Sequence, residues 1–461
     1  LNAPKDNAGA IIKPKSQTRM EQQLKETLKR FAPNQRFLLG CSGGLDSVAL
    51  LFALHRIFAE AGRQSQLRVV HVDHDLQAPS AAWAQQVVAQ CEALAIDVIV
   101  KKVSVAAGNL ENEARNARYA AFRAVIAPDE VLVLAHHQQD QAETVLMRLL
   151  SGSGVSGLAA MRVVQTQDAL TIFRPLLHTA RDEIHQFAIH HALQWVDDPA
   201  NDDLSFDRVV MRQKVWPILA EHWQGFEAAM VRTASLMADA ESVLIAQGER
   251  DLATTQGADG SLNIEQVLEL PEARVRWLLA RWMQGDQQYA PSLSRVDAVR
   301  QMMHARIDAT PQVIWQTERG DLQFRRYQGQ LYRLPLELPL AVMQTLVFSM
   351  SQTLGLATGQ WCVESLANGL SLSLLDETLR LRPRREGELL HLNGRVGHWP
   401  LKKLLQSLRL SPWQREQVHI LETLEGQPLA LISAAGFHVT KQAVENNKAS
   451  SAWGLIRVGL M

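Results

Sequence analysis

Apolar positions along the chain change their spacing several times, and each change marks an element. From residue 36 to about residue 191, continuous apolar runs alternate with segments of helical period. "RFLLGC" is followed by "SVALLFALHRIFAEAG", "LRVVHV" by "SAAWAQQVVAQCEALA", "DVIVKKV" by "LENEARNARYAAFRAVI", "EVLVLAHH" by "DQAETVLMRLL", and "LTIFRPL" by "ARDEIHQFAIHHAL". Continuous rather than alternating apolar strands, each followed by a helix, predict an α/β domain whose parallel sheet is covered on both faces.

Beyond residue 225 the period is helical to about residue 282, clearest in "FEAAMVRTASLMADAESVLIAQ", and becomes strand-like over 312–333. The last stretch, from about residue 370, mixes strands with one helix, "PLKKLLQSLRL". These shifts predict a disordered tail over 1–19, an α/β domain over 20–220 and a mainly helical domain over 225–335. A linker with short strands over 336–369 and a small α+β domain over 370–461 complete the division. The tail carries Pro, Gly and Lys but no apolar segment, so the folded protein is expected to start near Met20. Residues 338–363 carry no charge, yet prolines at 335 and 339 and scattered Gln, Ser and Thr favour short strands over a membrane span.

With 461 residues, 47% hydrophobic and 21% charged, the composition is that of a multidomain globular protein. The net charge of −1 means that a polyanion partner must meet a local basic surface. Cys41, Cys91 and Cys362 form neither a CxxC pair nor a disulfide framework, a pattern that fits a reducing cytoplasm.

The candidate chemistry sits where apolar strands end. "SGGLDS" (Ser42, Gly43, Gly44, Leu45, Asp46, Ser47) lies between the first strand and its helix. Glycines there permit positive φ and close approach to the backbone, and a helix N-terminus adds unpaired N–H groups, which together make an anion cradle. It is not a GxxxxGK[ST] loop, and Asp46 stands where a carboxylate can hold Mg²⁺. The plain alternative is a tight turn capped by Ser42 or Asp46. "HVDHD" follows the second strand and "AHHQQDQAET" the fourth, placing His136, Asp140 and Glu143 near one helical face. Strand-end histidines, dipole-complementing acids and a zinc site are the alternatives there. Glu111 and Arg115 read equally as a surface ion pair, or Arg115 and Arg118 as a phosphate contact.

"SGGLDS" resembles the PP-loop of N-type ATP pyrophosphatases. With "HVDHDLQ", "EARNARYAAF", "AHHQQDQAET", "GSGVSGLAAM", "FRPLL", "RDEI" and "WVDDPAND" in order, and "GRVGHWPLKKLLQSLRLSPWQRE" near the end, the chain is similar to the tRNA(Ile)-lysidine synthase family over about residues 20–439. The resemblance implies a Rossmann-like PP-loop domain that adenylates the wobble cytidine of an isoleucine tRNA with anticodon CAU. Free L-lysine then displaces AMP in a carbon–nitrogen ligation. It implies ATP contacts from the six loop residues, Mg²⁺ at Asp46 and Asp140, a transition-state role for Arg115, and His136, Asp140 and Glu143 around lysine and base. Arg208 and Arg212 fall in a basic segment that the family places near the active site. Departures from the pattern are Asp75, Gln139, Ser151 and Val209.

Between residues 380 and 415 nine basic residues face two acidic ones, and Arg382, Arg384, Lys402 and Lys403 are the chosen phosphate contacts. The other reading is a solvated charge run. Trp399 and Trp413 read as core. A tRNA-thiolating enzyme and a non-catalytic RNA-binding protein are the competing functions. No membrane association is expected, and the oligomeric state stays open, a homodimer included.

Overall fold

The computed structural model describes residues 18–74, 80–104, 110–167, 169–197, 203, 207–287, 290–306, 311–445 and 452–458. The expected tail up to residue 17, Asp75 and the Glu111 side chain lie outside the described residues. The chain divides into two compact units, 1–245 and 246–461.

The first unit opens with α1 (Arg19–Leu28), whose N-cap Thr18 and Glu21 form a reciprocal capping box. Its sheet contains β1 (Arg36–Gly40), β2 (Leu67–Asp73), β3 (Val98–Lys102), β4 (Glu130–Val133), β5 (Val164–Gln167) and β6 (Leu170–Phe173), in the order β3-β2-β1-β4-β6-β5. The first five strands in that order run parallel, and β5 turns back antiparallel on β6. The helices are α2 (Leu45–Glu60), α3 (Ser80–Ala93), α4 (Leu110–Val125), α5 (Gln138–Leu150), α6 (Val155–Leu158) and α7 (Arg181–His190).

Continuous apolar β1 is buried on both faces. Phe37 and Leu39 join the core built with α2 and α7, while Leu38 packs with Phe122 of α4 in a second core. Strand order reverses at β1, with β2 and β3 on one side and β4 and β6 on the other. In open α/β sheets that reversal opens a crevice beyond the strand carboxyl ends. The glycine loop after β1 and the histidine cluster after β4 both empty into it. Beyond α7 come α8 (Asp207–Val210), a π-helical turn Met211–Val215, α9 (Trp216–His222) and α10 (Phe226–Thr255). The boundary between the units falls inside α10.

The second unit begins with β7 (Leu262–Asn263), α11 (Ile264–Leu268), α12 (Glu272–Gln284) and α13 (Leu293–Met303), followed by β8 (Gln312–Trp315), β9 (Leu322–Tyr327) and β10 (Gln330–Pro335). A four-stranded sheet in the order β7-β10-β9-β8 shares a core with α12 and α13, so the middle region is helical with a sheet.

The segment expected to link domains instead carries β11 (Gln344–Val347), β12 (Thr353–Leu356) and most of β13 (Gly359–Ser371). They belong to the last domain. β11 pairs with β14 (Thr378–Pro383), and β13 pairs with a strand near the end of the chain. The remaining elements are β15 (Leu389–Leu390), β16 (Trp399–Pro400), α14 (Leu401–Ser407), α15 (Pro412–Glu416), β17 (His419–Glu422), β18 (Pro428–Ser433), β19 (Gly436–Val439), α16 (Lys441–Glu445) and β20 (Ala452–Arg457). Two antiparallel sheets, β11-β14-β17-β18-β19 and β12-β13-β20, enclose Trp361 and Trp453. Among the described residues no helix is long and apolar enough to cross a membrane.

Candidate active site

The glycine loop packs against Val87 of α3 and against Val196. Gly43 has φ +89°, and a Cβ there would lie 3.1 Å from Val87 Cγ2, so both conformation and space call for glycine. Its carbonyl accepts from the Val196 N–H at 2.9 Å. Gly44 is the N-cap of α2 in an extended conformation, with no side-chain cap over the first turn. Ser47 is buried, its hydroxyl donating to the Gly44 carbonyl at 3.0 Å and lying 3.2 Å from Ser42 Oγ. The serines therefore brace the turn from below, and Leu45 packs on the core. Asp46 sits in the first turn of α2; its Oδ1 is buried and has no hydrogen-bond partner among the described residues. A buried carboxylate oxygen left unpaired is the kind of position that a cation satisfies.

Past β4, His137 bridges two acids. Its Nε2 is 3.6 Å from Asp46 Oδ2 and 3.5 Å from Asp140 Oδ2. Burial works against its charge, but Asp140 and Asp46 prevail and raise its pKa above the ordinary value. Asp140 also accepts from the His137 backbone N–H at 3.0 Å and from Arg212 Nη2 at 3.1 Å. Burial would raise its pKa; the His137, His136 and Arg212 charges and the backbone bond hold it below the ordinary carboxylate value. Glu143 is fully buried and gripped at both oxygens by Arg212, 2.5 Å from Nε and 3.0 Å from Nη2. Burial raises the Glu143 carboxyl against the pull of Arg212. The Arg212 guanidinium, despite its own burial, is held above its ordinary value by Glu143 and Asp140. The bidentate contact defines this as an ion pair.

His136 behaves oppositely to its neighbour. Burial pushes its pKa down to about 3, Asp140 opposes, and the positive charges of Arg174, Arg118 and Arg208 add to the depression. These three arginines, together with Arg212, line the carboxyl edge of the sheet with positive charge. Arg118 also depresses His74, after β2, behind burial as the main cause. Arg115 is exposed on α4 and stacks over the Tyr119 ring, 4.9 Å from its centroid.

Two residues of this edge escaped selection from the sequence. His137 adjoins the chosen His136, and nothing in a single chain says which of two histidines turns inward. Arg174, in "FRPLL", is 2% exposed; its Nη1 donates to the Arg162 carbonyl at 3.1 Å and to Gln165 Oε1 at 3.2 Å. An arginine directly after a buried strand at the carboxyl edge was the available signal. Among the departures, Val209 is buried, and Ser151 caps the end of α5 through a hydroxyl donation to the Arg148 carbonyl at 2.9 Å.

In the last domain the chosen basic residues separate. Lys402 and Lys403 are exposed on α14. Arg384 is paired with Glu416. Arg382 departs from the expectation: it is buried and held between Glu388 and Glu422, so it cannot offer a phosphate contact. Glu422, outside the basic run in sequence, also lies 3.3 Å from Arg380 and 3.8 Å from Arg385. Trp413 is buried against Tyr332 and Tyr327, whereas Trp399 is 37% exposed beneath the Arg395 guanidinium, not in the core.

The fold and the glycine loop define a PP-loop ATPase domain, and a family model for the PP-loop domain matches residues 15–219. Models of the TilS substrate binding domain and the TilS substrate C-terminal domain match 262–332 and 379–456. A tRNA(Ile)-lysidine synthase of Acinetobacter baylyi is 37% identical over 90% of this chain and 90% of its own. One of Shigella flexneri is 36% identical over 92% of this chain and 98% of its own. Among solved structures, a U34-tRNA thiolase of Methanococcus maripaludis covers 48% of this chain and 78% of its own at 17% identity and TM-score 0.41. The chain belongs to the tRNA(Ile)-lysidine synthase family and is an ATP-dependent ligase of the PP-loop class.

Proposed function

We propose that the chain joins free L-lysine to the wobble cytidine of the CAU-anticodon isoleucine tRNA in the cytoplasm, at the crevice between the ends of β1 and β4. The observation that carries the reading is the positive-φ glycine turn at the start of α2 with an unpaired Asp46 oxygen in the first turn of that helix. The Gly43–Gly44 backbone and the uncapped first turn of α2 suit the phosphates of ATP. Asp46 is the residue suited to Mg²⁺, which binds through one or two carboxylates together with phosphate oxygens and water and supplies charge neutralisation there. Asp140 fits the metal less well, since both its oxygens already have partners.

In this reading the cytosine carbonyl oxygen bonds to the α-phosphorus and pyrophosphate leaves. The lysine ε-amine, having lost a proton, then bonds to the ring carbon and AMP leaves. Arg115, exposed on α4, is in this reading the fixed cation that meets the charge developing on the phosphoryl group. Protonated His137 holds Asp46 and Asp140 in register. Neutral His136 offers hydrogen bonding without adding to an already basic wall, with Arg118 and Arg208 as contacts for the RNA backbone. Asp140, 13% exposed at its side chain, is the acid that a lysine ammonium can reach; buried Glu143 orders Arg212. Thiolation finds less support, because burial raises the Cys41 thiol and brings Cys91 up to about 12, and the third thiol, Cys362, is raised as well.

Asp46→Asn tests the reading. The folded variant is expected to lose AMP formation from ATP and tRNA by several orders of magnitude, since the carboxylate charge is gone while the shape is kept. Near-normal AMP formation would contradict the assignment of the loop.

A further inference from the structure

Arg115 is the exposed member of the basic edge, and a long exposed side chain has no fixed position unless something holds it. On α4 it lies over Tyr119, one helical turn along, with its guanidinium carbon 4.9 Å from the ring centroid. Tyr119 in turn meets Phe122 edge to face, centroids 5.9 Å apart at 70°. Phe122 is 2% exposed, and its ring fills the place beside β1 where residue 40 has no side chain: a Cβ on Gly40 would lie 3.0 Å from Phe122 Cζ. Gly40 ends β1 two residues before the glycine turn opens at Ser42. An unbroken stack thus leads from the strand that carries the phosphate loop to the guanidinium.

We infer that Tyr119 is a positioning residue for adenylation: it holds Arg115 at a fixed place relative to the phosphate loop, with Phe122 seated on Gly40 as the base of the stack. The inference rests on the role proposed for Arg115. The Tyr119 hydroxyl is buried and has no hydrogen-bond partner among the described residues, so the ring is what the contact uses. A cation over an aromatic face needs the ring and not its hydroxyl. Leucine in place of Tyr119 keeps apolar bulk on Phe122 but removes the face. Phenylalanine keeps the face.

The test is the single-turnover rate of AMP formation with saturating ATP and tRNA, beside the lysine KM and the melting temperature. Tyr119→Leu is expected to slow adenylation about tenfold, as removal of a cation–π anchor at a transition-state group implies. Its lysine KM should stay unchanged. Tyr119→Phe is expected to stay within about twofold of the parent. Gly40→Ala, which forces Phe122 aside, should slow the same step. If Tyr119→Leu fails to fold, Tyr119→Met asks the same question with a more adaptable side chain. Full-rate adenylation in the leucine or methionine variant, or a phenylalanine variant as slow as the leucine one, would overturn the inference. Arg115→Ala separates the two readings. A normal rate there overturns the role of Arg115 itself, whereas a slow Arg115→Ala beside a fast Tyr119→Leu overturns only the positioning.

Discussion

His136 and His137 share a peptide bond, and their pKa values shift in opposite directions. His136 faces burial and three arginines; His137 lies between two carboxylates. The consequences for stability have opposite signs. An unfolded histidine titrates near about 6.5. His136 has its folded pKa at about 3, so the unfolded chain binds the extra proton between those values, and stability falls as pH drops through that window. His137 has a raised folded pKa, so its contribution is complete below about 6.5 and is lost as pH rises through the folded value. Denaturation of the parent, His136→Asn and His137→Asn across pH 4–8.5 checks both signs. The penalty for replacing His137 should shrink as pH rises, and the parent should lose stability with acid more steeply than His136→Asn. Parallel curves would contradict the assignment. The sequence marked His136 as chemistry because it stands at a strand end, but the charges that face the pair come from Asp46 and Arg174, remote in sequence. The same limit hid the Arg212–Glu143 pair, whose partners are 69 residues apart.

At the scale of elements, β14 shows how an arginine in a basic run becomes structural. Leu379 and Leu381 alternate inward as a strand requires, yet Arg382 is buried as well. It is accommodated because Glu422, paired in register with Arg380 two residues away, reaches its guanidinium from β17 and Glu388 closes the other side. Removing the cation takes from Glu388 and Glu422 the buried partner they share and leaves Glu422 only the more exposed Arg380 and Arg385. Arg382→Ala should therefore destabilise the protein by about 3–5 kcal/mol. Equilibrium denaturation reads it, and a fully stable variant that merely bound RNA less well would contradict this account. Local charge counting could not reach this result, since Glu422 and Glu416 lie beyond the basic run and return to it only through strand pairing and the turn before β17. The parallel strands β1 to β4 were legible because each is a continuous apolar run between turn signals. β5, with the polar sequence "VQTQ", was not, because it is an antiparallel strand added at the sheet edge. The uncharged stretch over 338–363 carries β11, β12 and the start of β13, and its membership in the last domain depends on pairing with β14 and β20, which no local pattern carries.

For the whole molecule, the near-neutral net charge makes RNA binding a matter of where lysines and arginines stay unneutralised. Lys402 and Lys403 meet that condition on α14. Replacing both with alanine should leave stability and ATP affinity unchanged. It should reduce the slope of log affinity for tRNA against log salt by ~0.7–0.9 for each phosphate that the protein no longer neutralises. An unchanged slope would make them solvated charges only. The product is read by incubating the protein with ATP, labelled lysine and the CAU-anticodon isoleucine tRNA, then digesting the RNA and separating its nucleosides. The label is expected in a single modified cytidine, lysidine, with one AMP and one pyrophosphate formed per lysine joined. AMP release with no lysine in the nucleosides, or a label found on any other base, would contradict it.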